Sequence, residues 1–214
     1  MSWELGIRGG AILLVAAFTA LLAACGKPKL EPPKIVDRHA HCDLATEKPE
    51  AITDAVAAEP VARALRAMAE RSLPNSPRDQ TARFWAVKLP CNEMIVAWLF
   101  GRHFCGTGGC NLLVWDASGG RLREIGDVSI SWGPVRLLGE RHNGRPVFGS
   151  WTQGGGIQPG YERAMRFDGN AYPKSMGKEA DVRMAVDVPG ILLIGEFRKL
   201  DEGLPLYSEQ GNPG

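Results

Sequence analysis

Residues 94–115 read MIVAWLFGRHFCGTGGCNLLVW, and the reading of this stretch sets the fold class. Met94 to Phe100 is apolar at every position. A strand carries such a run when both of its faces are covered, so a central strand is expected here. Asn111 to Trp115 predicts a second strand, and Asp116-Ala117-Ser118-Gly119-Gly120 after it has the composition of a turn. Leu122 to Ser129 predicts a third. Val135–Leu138 and Pro146–Trp151 flank His142-Asn143-Gly144, where Asn-Gly signals a hairpin. Tyr161 to Phe167 predicts a strand closed by Asp168-Gly169-Asn170, and Val182–Val186 with Ile191–Phe197 predict a last pair around Pro189-Gly190. Strands about every 12 residues with glycine turns point to an antiparallel β meander, sandwich or open barrel.

Upstream the texture is helical. Ala51 to Ala58 is alanine-rich, with Ile52 and Val56 four apart. Pro60 stands where a first helical residue tolerates proline, and Val61, Leu65 and Met68 recur at helical spacing. Two short helices are expected, over 50–58 and 60–72, ended by Pro74 and Pro77. The Val61/Leu65/Met68 stripe is read as core packing. The fold class is therefore α+β, with a short helical segment at 35–80 and a β-rich domain at 81–214. The chain has 214 residues, 44% apolar and 23% charged, which suits one ordinary domain. Its formal net charge is +1 and its Lys and Arg are spread out, so no nucleic-acid partner is expected, since that needs a basic stripe.

The first 24 residues form a leader. Arg8 precedes an uncharged run, Ala11 to Ala24, which is too short to span a bilayer but suits a secretory signal. The run ends Leu22-Ala23-Ala24-Cys25, which resembles the lipobox of bacterial lipoproteins. The resemblance implies cleavage before Cys25 and acylation of that cysteine, with the membrane as partner through the lipid. Two or three acyl chains hold a protein on a membrane where one chain holds it only marginally. Gly26 stands where an aspartate would imply retention at the inner membrane, so the resemblance implies the outer membrane, facing the periplasm. Residues 25–34 follow as anchor and tether, and GKPKLEPPK, extended at about 3.1 Å per residue, reaches roughly 28 Å.

Lipidation of Cys25 leaves Cys42, Cys91, Cys105 and Cys110, and in an oxidising compartment disulfides are the default. Four cysteines allow three pairings and sequence does not choose among them. The favoured pairing is Cys105–Cys110 with Cys42–Cys91, because Gly106, Gly108 and Gly109 supply the freedom that a tight ring requires. Residues 94–173 also resemble a type of secreted proteobacterial protein with no assigned activity. The shared features are Cys105-Gly106-Thr107-Gly108-Gly109-Cys110 before a strand, Gly154-Gly155-Gly156, Pro159-Gly160-Tyr161, Arg166-Phe167-Asp168-Gly169 and Tyr172-Pro173. That resemblance implies a fold and a compartment more than a function. Where the type often carries an aspartate-rich turn, this chain has Leu89-Pro90-Cys91-Asn92-Glu93, which argues against a metal role there.

Chemistry is sparse. On a strand, His39 and His41 after Asp37 would share one face, which makes them weak metal candidates. Cys105 and Cys110, even with His103, lack structural-zinc spacing, and no Cys-x-x-Cys is present. Ser131 and Ser150 lack the Gly-x-Ser-x-Gly elbow, Gly154-Gly155-Gly156 is no phosphate loop, and Glu93 and Asp116 show no acid/base pairing. No catalytic residue and no cofactor is expected. Trp132, Trp151, Gly155 and Tyr161, with Tyr172, cluster near glycine-rich turns and form a candidate contact surface. The expectation is an outer-membrane-anchored periplasmic lipoprotein with a non-enzymatic binding or envelope-assembly role, its partner an envelope protein or peptidoglycan. The alternatives are an inhibitor of an envelope hydrolase such as a lysozyme, and an enzyme acting on cell wall or polysaccharide.

Overall fold

The structure is a computed structural model that describes residues 42–154, 156–174, 182–183, 189–195 and 202–207. The leader, Cys25, the tether, His39, His41 and Gly155 lie outside the described residues. Strand β1 (Glu50–Ile52) leads into helix α1 (Ala55–Ser72), followed by β2 (Arg83–Leu89), β3 (Met94–Phe100), β4 (Cys105–Gly106) and β5 (Gly109–Asp116). Then come β6 (Arg123–His142), β7 (Arg145–Gly154), β8 (Ile157–Met165), β9 (Val182–Arg183), β10 (Gly190–Ile194) and β11 (Leu204–Pro205). Among the described residues the result is one helix and an open antiparallel sheet of eleven strands, ordered β1-β2-β3-β5-β6-β7-β8-β9. β4 pairs with β5, β10 with β6 and β11 with β2.

β3 is central, as its all-apolar sequence requires. Its two faces enter two different cores. Met94, Val96 and Trp98 join Val87, Leu112 and Val114 on one face, while Ala97 and Leu99 join Phe84, Ala86, Leu113 and Trp115 on the other. This is the period-two alternation of a strand, with apolar residues at both phases. α1 covers the second face with Ala58, Val61, Ala62, Leu65, Met68 and Ala69. The first face is covered by the sheet itself. β6 pairs with β5 up to Ser131, takes up β7 from Trp132 with a register shift before Val135, and pairs with β10 from Val135. Val135 and Leu137 of β6, Phe148 of β7, Met165 of β8 and Ile194 of β10 thereby reach the same core as β3.

One helix stands where two were expected. Asp54 caps it by accepting a hydrogen bond from the Ala57 amide at 2.9 Å, and Pro60 lies inside it. An interior proline removes one backbone hydrogen bond. Here the ring faces solvent, and the buried face continues from Ala58 to Val61 and Ala62 without a break, so packing carries the helix through. Residues 50–52, expected to be helical, are an edge strand paired with Ala86–Lys88. The expected last pair is also different: β9 joins β8 and β10 joins β6. The Asn143-Gly144 hairpin forms with both residues at positive φ, 48° and 75°.

One end of the sheet is held by polar contacts. Both disulfides take the favoured pairing, and Cys42–Cys91 spans a sequence separation of 49 with its Cα atoms 5.7 Å apart. Beside it the buried Glu47 accepts from the Cys91 amide and from Asn92 Nδ2. Arg141 donates to the Cys42 carbonyl at 3.1 Å and to Asn92 Oδ1 at 2.8 Å. The Ala117 amide donates to the Glu93 carbonyl at 2.8 Å, and Arg145 reaches Asp116 at 2.6 Å. Three turns and the segment entering at Cys42 are thereby fixed together.

Burial opposes the charge on Asp116. The Ser118 hydroxyl and amide, Arg123 and the charge of Arg145 outweigh it and hold the carboxyl well below the usual range. A carboxyl depressed in the folded state stabilises the fold above its unfolded pKa and loses that contribution as pH falls. Thermal melts of the wild type should therefore fall as pH drops below about 4, and Asp116→Asn should flatten that slope; equal slopes would remove Asp116 from the account. The disulfides should rank by loop length, because a cross-link acts mainly on unfolded-state entropy. Removing Cys42–Cys91 as a double alanine variant should cost about 4 kcal/mol against about 2 kcal/mol for Cys105–Cys110, and a reversed order of melting temperatures would contradict this.

Candidate functional site

The other end of the sheet is built from glycine and close backbone contact. β3 ends at Phe100, and the chain turns through Gly101, whose carbonyl accepts from the Phe104 and Cys105 amides at 3.0 and 3.1 Å. Cys105 and Cys110 are directly opposed across β4 and β5, with Cα atoms 4.0 Å apart. Gly109, at φ 125°, passes so close to Ser131 that a Cβ there would meet its backbone at 2.7 Å. At the tip, Gly106 and Thr107 are exposed.

The β7–β8 turn lies on this ring. Gly154 has φ 82°, and a Cβ on it would overlap the Thr107 carbonyl oxygen and meet the Thr107 carbonyl carbon at 2.8 Å. The Cys105–Cys110 loop and the β7–β8 turn therefore touch, backbone against backbone. Beneath them Ser131 and Ser150 are fully buried, with their hydroxyls 2.5 Å apart and the Trp98 indole donating to the Ser131 carbonyl at 3.1 Å. Neither serine has the exposure of a nucleophile; both satisfy polar groups where β5, β6 and β7 converge.

The candidate aromatics separate. Trp132 and Trp151 are direct cross-strand partners, half-buried on the outer face of β6–β7. Glu162 is opposite Trp151 and shares that face, whereas Tyr161 is opposite Thr152 and takes the other. Tyr172 is no surface residue at all. It is 1% exposed, its ring packs at a tilt against Phe148 and Phe167, and its hydroxyl donates to the Pro146 carbonyl at 2.6 Å. Burial pushes its phenol far above the ordinary value. A tyrosine after a turn reads the same in sequence whether it packs inward or outward, so this contact was hidden.

Sequence reasoning also missed what surrounds Trp151. The indole Nε1 donates to Gln153 Oε1 at 3.1 Å. Gly160 lies beneath it: a Cβ there would meet Trp151 Nε1 and Gln153 Cβ, each at 2.8 Å. On the same face Arg136 and Glu162 form a two-pronged ion pair across β7. They reach each other over Gly149, where a Cβ would overlap Glu162 Oε1. Hydrogen bonding to Glu162 raises the affinity of Arg136 for its proton.

Cys105 and Cys110 are bonded to each other, so no thiolate is present there, and among the described residues no three His, Cys, Asp or Glu side chains converge. Two hollows open elsewhere. One, of about 170 Å³, lies between Ile52, Trp85, Leu193 and Leu204. The other, of about 200 Å³, lies between Leu73, Asp79, His103 and Tyr207. Burial opposes ionisation of Asp79, but hydrogen bonds from Thr81 and from the Arg102 amide outweigh it and hold the carboxyl low. Those bonds commit Asp79 to fastening turns. Compared with known protein families, curated proteins and solved structures, the chain has no match.

Gly154→Ala should push the two loops apart and lower stability by about 1 kcal/mol or more, with faster amide exchange at 105–110. Gly106→Ala, whose Cβ would meet nothing within 4 Å, should change neither. Equal behaviour of the two variants would mean that the loops do not depend on this contact.

Proposed function

We propose that this chain is a lipoprotein anchored through Cys25 to the outer membrane, facing the periplasm, with a non-enzymatic binding or assembly role there. One observation carries the reading: the two glycine loops meet at the end of the sheet opposite the Cys42–Cys91 staple. The described residues begin at Cys42, at the stapled end. β3 separates the two ends by roughly 20 Å, at about 3.4 Å per residue. The loop end, with Gly106 and Thr107 exposed, is the end of the sheet free of that staple. The Leu22-Ala23-Ala24-Cys25 resemblance supports the address, and two disulfides suit an oxidising compartment.

The described charges also favour binding over turnover. Asp116, Glu47 and Asp79 are each committed to internal partners, and Ser131 and Ser150 are sealed beneath the loops. Inhibition of an envelope hydrolase is the second reading, favoured by the exposed, disulfide-closed tip at Gly106 and Thr107, whose shape suits a cleft.

Photo-cross-linkers placed at Thr107 and Gln158 in intact cells test this, because both residues are exposed at the loop end. A stoichiometric envelope component captured from both positions is the expected outcome, and a captured hydrolase would select the second reading. The same cells carrying Cys25→Ser should show the protein released from the membrane or unprocessed, with capture reduced. A Cys25→Ser protein that stays membrane-bound at the mature mass would end the lipoprotein reading.

A further inference from the structure

The last turn of α1 and the segment after it wall one side of the hollow of about 200 Å³, and His103, Phe104 and Tyr207 close the other. Ala69 and Phe104 are buried and give it apolar walls, together with Leu73, Pro74 and Pro77. Four charged side chains act on the Tyr207 hydroxyl: Arg78, Glu70, Arg66 and Asp79. Two of them are matched. Arg66 is held by Glu59 at 2.6 Å and donates to the Leu206 carbonyl at 3.0 Å. Asp79 accepts from Thr81 and from the Arg102 amide, with His103 acting on it electrostatically. The other two are not matched. Arg78 and Glu70 both line the hollow and are exposed, and among the described residues neither makes a hydrogen bond or an ion pair. Arg78 rests over the Tyr207 ring, with its guanidinium carbon 5.7 Å from the centroid.

One positive and one negative charge thus face the same hollow without meeting each other. A purely anionic ligand would suit Arg78 and be repelled by Glu70 and Asp79, and a purely cationic one would be repelled by Arg78. The complementary ligand carries both signs on one small body, as the dipolar end of an α-amino acid does. Its carboxylate accepts two parallel hydrogen bonds from the guanidinium fork, and its ammonium donates to Glu70. Arg78 does not have to leave the ring for this, because a guanidinium stacked on an aromatic face keeps its N–H edge free. The Tyr207 hydroxyl can donate to the same carboxylate. The walls suit an apolar side chain. A cavity of about 150 Å³ takes benzene, so this hollow suits a body of roughly eight heavy atoms, such as valine.

We propose that the hollow between the last turn of α1, Arg78 and Tyr207 binds a free apolar α-amino acid, with its carboxylate on Arg78 and its ammonium on Glu70. The site stands apart from the envelope-binding reading above, since it uses neither the Cys105–Cys110 tip nor the β7–β8 turn. That surface remains available to a partner while the hollow is occupied.

The test titrates the full chain in detergent with L-valine by calorimetry, alongside L-alanine, L-leucine and L-phenylalanine to cover the range of side-chain size. Saturable binding is expected. Valinamide keeps only the positive charge and N-acetylvaline only the negative, and each should bind about 10-fold more weakly than valine or worse. Arg78→Gln and Glu70→Gln should each weaken valine by a similar factor. In Arg78→Gln the preference for valine over valinamide should disappear, and in Glu70→Gln the preference for valine over N-acetylvaline. Both positions are exposed, and melting curves check that both variants are folded. No saturable binding of any of these amino acids by the wild type overturns the proposal. So does binding of valinamide or N-acetylvaline as tight as that of valine, or undiminished binding by either folded variant. If the amino acids fail while cross-linkers at Thr107 still capture an envelope component, this inference falls and the binding reading stands.

Discussion

Burying both faces of β3 obliges the rest of the chain to supply two coverings, and most of the architecture answers that demand. Leu99 and Ala97 need the helix; Val96 and Trp98 need a second layer of sheet. The second layer comes from the same strands, because β6 passes from one half of the sheet to the other instead of ending. Its register shift between Trp132 and Val135 is the structural cost of that passage, and Ser131, Ser150 and the Trp98 indole satisfy the polar groups gathered beside it. A bulge bends and twists a strand locally, which is what a sheet folding over itself requires.

The same constraint makes the two ends of the sheet unlike. Where β2, β5 and β6 turn, buried charge is present and must be satisfied: Asp116 by two arginines and Ser118, Glu47 by Cys91 and Asn92, Arg141 by Asn92 and the Cys42 carbonyl. Removing one partner from such a set leaves another uncompensated, so the network resists rearrangement. At the opposite end contact is made by backbone, through Gly109 on Ser131 and Gly154 on Thr107. Backbone contact of this kind tolerates no side chain but leaves the surrounding surface unconstrained in chemistry. An end fixed by backbone contact, one disulfide and a few buried hydrogen bonds is free to carry exposed residues chosen for recognition.

Much of this was legible from residue order. β3 was readable because no position in Met94–Phe100 is polar, and the Asn143-Gly144 hairpin because few residue pairs accept two positive φ values. The tight Cys105–Cys110 ring was readable from its glycines. β2 was not: Arg83-Phe84-Trp85-Ala86-Val87-Lys88-Leu89 carries charge at two positions, and its burial comes from neighbours far along the chain. Pro60 misled because a proline marks a helix start in local sequence, whereas here the Asp54 cap and a buried face fix the start earlier. Tyr172, Gln153 and the Arg136–Glu162 pair were invisible for a common reason. Their meaning lies in a partner 26 residues away for Tyr172 and for Arg136, and across a strand pairing for Gln153 and Gly160.

Those last residues bear on function through what is missing from them. Gly149 and Gly160 alternate with Trp151 and Glu162 on one face, and each glycine makes room for a neighbour to lie flat: the ion pair over Gly149, the indole over Gly160. Side chains at either position would add apolar area and β propensity, and stability alone would favour them. A strand gives up that stabilisation when something must approach closely. Around Gly149 the approaching group is Glu162, already in place. At Gly160 it is the edge of the Trp151 indole, held at its Nε1 by Gln153 and likewise in place.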